Sequence, residues 1–425
     1  MTAKGPLRVV PTLRFPEFAD EPAWECLPLR KLAKRITQRN TQGGALRPLT
    51  NSAEHGVVDQ RDYFDKDIAT NTDNYFVVEP GDYVYNPRVS SVAPVGPISK
   101  NFVGTGVVSP LYTVFRFQSG ANDFFAHYFK SSHWHGYLRR ASNSGARHDR
   151  MAITNDDFME MPIPTPSPHE QQKIADCLGS LDEWIAAEGR KLEALRQHKQ
   201  GLMQQFFPQP GETRPRLRFP QFEGGPEWVE TTLGKLLSRP PEYGVNAAAV
   251  PHCDGLPTYI RITDISDDGR LVPGPRVSVD IGASAEQYLQ DGDIVLARTG
   301  ASVGKAYRYR AEDGPLVYAG FLIRVRPNPE RLESRFLAAY MSTWTYWDWV
   351  RLTSPRSGQP GINGSEYASM PLPVPHGREG LAEQRKIADC ISAIDDQIDR
   401  QARRVDGLKQ HRQGLQQRLF PSMEG

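Results

Sequence analysis

Two stretches of this sequence carry the residue types of phosphate or methyl-transfer chemistry, and both fall short on spacing. Gly300-Ala301-Ser302-Val303-Gly304-Lys305-Ala306 is similar to a phosphate loop, where backbone N–H groups wrap the anion and a final hydroxyl holds magnesium. It is one residue short between the glycines, and Ala306 replaces the hydroxyl residue. Asn86-Pro87-Arg88-Val89 begins like the Asn-Pro-Pro-aromatic motif of amino-methyltransferases but lacks the second Pro and the ring. No Glu-x-Lys occurs, which argues against a nuclease of the common metal-dependent type. His133-Trp134-His135 offers two imidazoles, but a metal site needs three or four ligands and no third lies nearby. With Trp134 and Tyr137 beside them, these histidines read as packing or a solvated rim. No catalytic constellation emerges, and no metal site. The chain reads as a binding and organising protein.

The basic residues do cluster. Arg298, Lys305, Arg308 and Arg310 lie in a run without acids, interleaved with Thr299, Gly300, Ser302, Gly304, Tyr307 and Tyr309. Arg351, Arg356, Ser357, Gly358 and Gln359 form a second basic loop. Arg139, Arg140, Asn143, Ser144, Gly145, Arg147, His148 and Arg150 form its counterpart in the first half. Arginine can be bidentate to guanine and Asn or Gln to adenine, while Ser, Thr and Gly amides hold phosphates. Any one such cluster can be a solvated face; two matching clusters ahead of matching linkers point to DNA.

The elements that must position these loops come in two copies. Leu13-Arg14-Phe15-Pro16-Glu17-Phe18 returns as Leu217-Arg218-Phe219-Pro220-Gln221-Phe222, and Trp24 returns as Trp228. Met161-Pro162-Ile163-Pro164 returns as Met370-Pro371-Leu372-Pro373, and Gln172-Lys173-Ile174-Ala175-Asp176-Cys177 as Arg385-Lys386-Ile387-Ala388-Asp389-Cys390. An offset of 213 then persists to Phe207-Pro208 and Phe420-Pro421. The layout is globular segment, helix, globular segment, helix: a duplication.

The helices carry heptad seams. In the first, Ile174, Leu178, Leu181, Ile185, Leu192 and Leu195 are apolar, with Glu188 and Lys199 interrupting; in the second, Ile387, Ile391, Ile394, Ile398, Val405 and Leu408 are apolar, with Gln401 and Arg412 interrupting. Ser167-Pro168-His169-Glu170 reads as a capping box with Pro at the first helical position, and Gly380-Leu381-Ala382-Glu383 as its weaker equivalent. Pro208 and Pro421 end the helices. A parallel pair in register would bury Lys199 beside Arg412, two unpaired cations in one layer. Antiparallel pairing separates them and is the expectation; the alternative is that each seam packs on its own globular segment.

Short runs rich in β-branched and aromatic residues predict strands at Tyr75–Val78, Gly81–Tyr85, Val107–Val108, Leu111–Phe117, Tyr259–Ile262, Asp293–Arg298 and Phe321–Val325. Helices are expected around Asp123–Lys130 and Arg335–Trp344. Met161 to Pro168 reads as extended polyproline, a stiff linker rather than an SH3-type ligand.

Composition sets the remaining bounds. At 425 residues the chain exceeds one ordinary core, and with 39% apolar and 24% charged residues it is not mainly disordered. Lys plus Arg is 51 against 50 for Asp plus Glu, so nucleic-acid binding would have to use local basic surfaces. No run is long enough to span a bilayer, and Met1 to Phe18 has no signal-peptide core. Cys26, Cys177, Cys253 and Cys390 are scattered without a C-x-x-C pair, which fits a reducing cytoplasm.

The duplicated plan, the Met-Pro-x-Pro linkers, the two helix starts at Gln172-Lys173-Ile174-Ala175 and Arg385-Lys386-Ile387-Ala388, and Gly292-Asp293-Ile294-Val295-Leu296-Ala297-Arg298-Thr299-Gly300 resemble the specificity subunit of type I restriction–modification enzymes. Ser357-Gly358-Gln359-Pro360-Gly361-Ile362-Asn363 is similar to that family's loop before its linker, whereas Ser144-Gly145-Ala146-Arg147-His148-Asp149 departs from it. The resemblance covers essentially the whole chain. It implies an α+β fold: two strand-rich target recognition domains, residues 1–166 and 208–376, joined by conserved helices at 167–207 and 377–421 that pair as an antiparallel coiled coil. Each domain would read half of a bipartite site on double-stranded DNA. Arg139, Arg140, Asn143, Arg147, Arg298, Thr299, Lys305, Arg308, Arg356 and Gln359 are the candidate contacts. The seam residues named above would pair the helices and dock two methyltransferase subunits, and through them restriction–translocase subunits. S-adenosylmethionine, ATP and magnesium would belong to those partners, this chain binding no cofactor and doing no catalysis. The competing expectation is a coiled-coil adaptor that binds proteins without DNA specificity; such an adaptor would give no sequence-specific complex in a mobility shift.

Overall fold

The computed structural model describes residues 7–41, 46–65, 72–118, 123–142, 149–272, 274–282 and 284–422. They form two compact units, Met1–Gly189 with Arg404–Gly425, and Arg190–Arg403. The long helices, Pro168–Phe206 and Gly380–Leu419, each contribute to both units.

In the first unit a four-stranded antiparallel sheet runs in the order Ala33–Arg35, Thr113–Phe117, Tyr83–Tyr85, Ile98–Lys100. The second unit repeats that order with Glu242–Tyr243, Leu322–Val325, Ile294–Ala297 and Ala306–Arg308. The turn entering the central strand is built alike in both. Gly81 and Gly292 take φ of +92° and +85°, a region that favours glycine. The next residues, Asp82 and Asp293, are buried and accept backbone bonds from Glu79 and Gln290. Each carboxylate is then held by a forked arginine: Arg116, within the neighbouring strand, on Asp82 at 2.5 and 3.1 Å, and Arg326, the residue after the neighbouring strand, on Asp293 at 2.7 and 2.8 Å.

The units differ in their outer sheets. The first has two antiparallel pairs, Leu49–Ser52 with Gly56–Asp59 and Phe76–Val78 with Gly106–Val108. The second has one sheet of Ala249–Pro251, Val277–Val279, Thr258–Ile260 and Leu316–Tyr318, whose last two strands are parallel.

The Met-Pro-x-Pro stretches are not free linkers. Pro162–Thr165 pairs antiparallel with Trp24–Pro28, and Pro371–Val374 with Val229–Thr232. Both are edge strands, where alternate prolines can place their missing donors away from the partner. The capping box also differs from expectation. Ser167 Oγ does accept from the Glu170 amide at 3.3 Å, but the Glu170 carboxylate is committed to other partners. It takes two bonds of 2.7 Å from Arg14 and one of 3.0 Å from Trp24 Nε1. In the second unit Glu383 takes the same partners, Arg218 at 2.8 Å twice and Trp228 Nε1 at 3.3 Å. The repeated Arg, Trp and Glu are thus one buried ion-pair cluster made twice, tying each chain entry to its helix start.

Within each unit the helix segments run antiparallel. In the first, Asp182 of one helix meets Arg412 of the other at 2.7 Å, and Glu188 meets Arg404 at 2.9 Å. In the second, Lys199 meets Asp395 at 2.7 Å. The two seam-breaking cations therefore each find a carboxylate across the pair, at equivalent positions. The alternative packing is also realised at the helix ends. Ile174 and Leu178 join the first unit's core together with Leu419 and Phe420; Ile387 and Ile391 join the second's with Met203, Phe206 and Phe207. Phe420 sits 5.3 and 5.6 Å from the rings of Phe124 and Tyr128, and Phe207 sits 5.0 and 5.5 Å from those of Phe336 and Tyr340. Each core is closed by the phenylalanine that follows the helix from the other half of the sequence. Of the remaining seam residues, Leu181, Ile394, Ile398 and Val405 are buried, while Ile185, Leu192, Leu195 and Leu408 are half-buried.

Candidate nucleic-acid interface

In the second unit the strand Ile294–Ala297 runs out into Arg298-Thr299-Gly300, and this segment is pinned by the Pro360-Gly361-Ile362 loop. Thr299 bridges Gly361, Ile362 N donates to Arg298 O at 2.9 Å, and Gly300 N donates to Pro360 O at 2.9 Å. Gly300 has φ +75°, and a Cβ there would meet Gln359 Nε2 at 2.9 Å, so the two loops touch closely. The Arg298 guanidinium lies over the Tyr243 ring at 4.9 Å, while its Nε is buried without a partner among the described residues. Stacking of this kind fixes a planar fork and leaves its edge for recognition.

Of the second-half candidates, the structure brings Arg298, Thr299 and Gln359 together. Arg356 is neutralised by a bidentate pair with Glu366 at 2.5 and 2.6 Å. Lys305 is paired with Asp267 at 2.6 Å. Arg308 sits apart, 4.0 Å from Asp291 in a cleft with Arg310 and Arg335, where burial lowers its pKa. The Gly300–Ala306 segment, similar in sequence to a phosphate loop, is the turn between strands Ile294–Ala297 and Ala306–Arg308, closed by Gly304 N donating to Ala297 O.

The first unit repeats the pinned segment with other residues. Arg88 bridges Arg150, Met151 N donates to Pro87 O at 2.9 Å, and Val89 N donates to Asp149 O at 3.0 Å. Arg88 thus stands where Thr299 stands, and Arg150 where Gly361 stands. Sequence reasoning passed over Arg88 after discarding Asn86-Pro87-Arg88 as a catalytic motif. The Gly-Asp turn shared by Gly81-Asp82 and Gly292-Asp293 is the signal that would have aligned it. Arg139 and Arg140 lie exposed in the last turn of the helix His135–Ala141. Asn143 and Arg147 lie outside the described residues. Of the paired histidines, His135 is pushed down to about 4 by burial, then by Arg139 and His133. Among the described residues no group of His, Cys, Asp and Glu is placed to hold a metal ion. No helix among them is long and apolar enough to cross a membrane.

The family model for the type I restriction modification DNA specificity domain matches twice, at residues 60–197 and 254–410. A curated relative, the MjaX type I restriction enzyme specificity subunit of Methanocaldococcus jannaschii, is 23% identical over 290 residues. That match covers 64% of this chain and 60% of the relative's length. Two solved structures share the fold with a TM-score of 0.56 each. One is a chain from work on complex assembly and conformational transition of a type I R-M system, 18% identical, covering 94% of this chain and 98% of that one. The other is the S subunit of a type I restriction–modification system from M. genitalium, 14% identical, covering 97% and 100%.

Proposed function

Since the chain belongs to the type I restriction–modification DNA specificity family, we propose that it is the subunit that selects the DNA sequence for such a system. Each unit reads one half of a bipartite site on double-stranded DNA. The long helices dock two methyltransferase subunits, which in turn hold the restriction–translocase subunits in the cytoplasm. S-adenosylmethionine, ATP and magnesium then belong to those partners, and this chain contributes recognition without catalysis.

One observation carries the reading. The two units share sheet order, turn chemistry and helix anchoring, yet at the equivalent pinned segment one presents Arg88 and Arg150 and the other Thr299 and Gly361. A frame kept constant around changed polar loops is what two readers of different half-sites require, since base-edge contacts specify and backbone contacts position. The near-zero net charge of +1 is compatible, because a subunit that shares DNA with larger partners need not neutralise many phosphates itself. Mapping methylated bases in the host genome with and without this gene tests the proposal. Loss of methylation at one bipartite sequence is the expected result, and an unchanged methylation pattern would overturn it.

A further inference from the structure

The strand Leu49–Ser52 is unlike the others of the first unit. Thr50, Asn51 and Ser52 are polar, yet only 7%, 2% and 7% exposed. They line a concavity of about 720 Å³, which Gln60, Tyr63, Phe64, Arg88 and Arg150 also border. Three buried atoms in this lining have no hydrogen-bond partner among the described residues: Asn51 Oδ1, Gln60 Oε1 and Arg150 Nε. An unmet buried polar atom costs roughly 1–3 kcal/mol, and native proteins keep few of them. Three around one concavity mark a place where another molecule supplies the missing groups.

The chemistry of that molecule follows from the atoms. Asn51 Nδ2 donates to the carbonyls of Val84 at 2.6 Å and Pro97 at 3.1 Å, which fixes its amide orientation and leaves an acceptor over. Gln60 leaves a second acceptor. Both ask for N–H donors. Arg88 and Arg150 face each other across an antiparallel bridge, where like charges repel. Arg150 has Asp149 at 3.3 Å, which offsets only part of that charge. The pair asks for an anion. At the rim, the Tyr63 and Phe64 rings lie edge to face at 4.8 Å and are 43% and 41% exposed, offering apolar contact. A DNA strand meets all three demands, with base amino groups as donors, phosphates as the anion and sugar or base faces as the apolar partner, and the uncharged Thr299 and Gly361 show that the arginine pair is not part of the shared frame.

We infer that this concavity is where the first unit reads its half-site, in place of the exposed helix that carries Arg139 and Arg140. Arg88 and Arg150 hold the DNA backbone at the mouth. Gln60 and Asn51 accept from the exocyclic amino group of adenine or cytosine, directly or through water. Tyr63 and Phe64 pack against the sugar or base. The inference rests on the function proposed above.

The test uses the full chain assembled with its methyltransferase partner, methylating duplexes randomised across the site. Gln60→Ala should lower discrimination about tenfold at one or two positions of one half-site and leave the other half-site intact. Gln60→Glu, which keeps an acceptor, should retain the preference. Arg88→Ala should weaken all sequences alike and reduce the salt slope by about one. Each variant must melt as the parent protein does, which separates reading from folding. A stable Gln60→Ala complex with the parent's preference at every position would overturn the inference, as would loss of the same half-site on replacing Arg139 and Arg140. A parent complex without any sequence preference would instead remove the proposed function, and this inference with it.

Discussion

The first and second units are the same frame carrying different surfaces. The frame is repeated down to atoms: Arg14 and Trp24 on Glu170 match Arg218 and Trp228 on Glu383, and Arg412 on Asp182 matches Lys199 on Asp395. The surfaces diverge where the central strand leaves its sheet and in the outer strands, which pair antiparallel in one unit and partly parallel in the other. Buried ion pairs and aromatic closures tolerate little change, because a lost partner leaves a desolvated charge or a cavity. Exposed loops pinned by backbone bonds can change side chains freely. The difference places anchoring in the repeated residues, and on the proposed function it assigns selectivity to the unrepeated ones.

The largest test of that division is exchange. Replacing residues 22–160 with the matching segment of a relative that reads another site should switch one half-site completely and leave the other unchanged, as read by methylation mapping. Both half-sites changing together would break the comparison, because the units would then not be independent.

Next in size is the anchoring cluster. Glu170→Ala and Glu383→Ala should each cost about 3–5 kcal/mol, since Arg14 and Arg218 are nearly buried and would lose their carboxylate. Denaturant unfolding, with hydrogen exchange to assign the loss to a unit, checks the magnitude. Equal costs support two copies of one device; a cost confined to one would show that only that copy anchors its unit.

A difference in pH dependence follows from His127. Burial, then Lys130 and Arg412, hold it down to about 4, while Asp182 and Asp123 pull the other way without winning. The matching position in the second unit is Ala339. Between an unfolded pKa near 6.5 and the folded value, the unfolded chain binds a proton that the folded one does not, so stability falls as pH drops through that window. The loss amounts to roughly 3 kcal/mol by about pH 4. His135, also lowered to about 4, adds to the same window. Asp182 is lowered from its ordinary carboxylate value despite the opposing effect of burial, held by Arg412, so its own contribution is lost only at more acid pH. Hydrogen exchange at pH 7 and pH 4.5 should show the first unit loosening more than the second. His127→Gln should remove a large part of that difference.

A finer contrast concerns Arg298. Arg298→Ala should lose about 1–3 kcal/mol of discrimination at one position of the second half-site, because its fork is fixed on Tyr243. Arg356→Ala should do less, its guanidinium being committed to Glu366. A selection from randomised duplexes ranks the two, and the reverse order would mean that the Glu366 pair opens on DNA.

These contrasts also show what could be read in the sequence. The duplication, the heptads, the antiparallel sense and the positions of the main strands were legible because apolar spacing and repeats encode them directly. The proline-rich stretches misled, because alternate prolines normally argue against a strand and only the edge position admits them. Candidate DNA contacts were harder. Arg356 and Lys305 looked free because Glu366 and Asp267 lie elsewhere in the chain, and spacing says nothing about which carboxylate folds back. The Arg-Trp-Glu cluster recurred in plain sight, but recurrence alone does not say that three separated residues meet. Arg88 became visible only when the topology aligned the two units, and the polar strand at Thr50–Ser52 only when its burial was seen.

The smallest expected effect belongs to Arg139 and Arg140. Both are exposed in the last turn of a short helix, whose C-terminal end favours cations in any case. A solvated arginine that reaches DNA does so as a phosphate contact, worth the release of about one counterion and indifferent to base identity. Arg139→Ala and Arg140→Ala should therefore each lower the salt slope of binding by at most about one, weaken all sequences equally, and leave both half-site preferences intact. Binding titrations at several salt concentrations, on specific and scrambled duplexes, make the measurement. A change of preference at a single base would return these residues to the reading surface, and would move the first unit's contact from the concavity to the helix His135–Ala141.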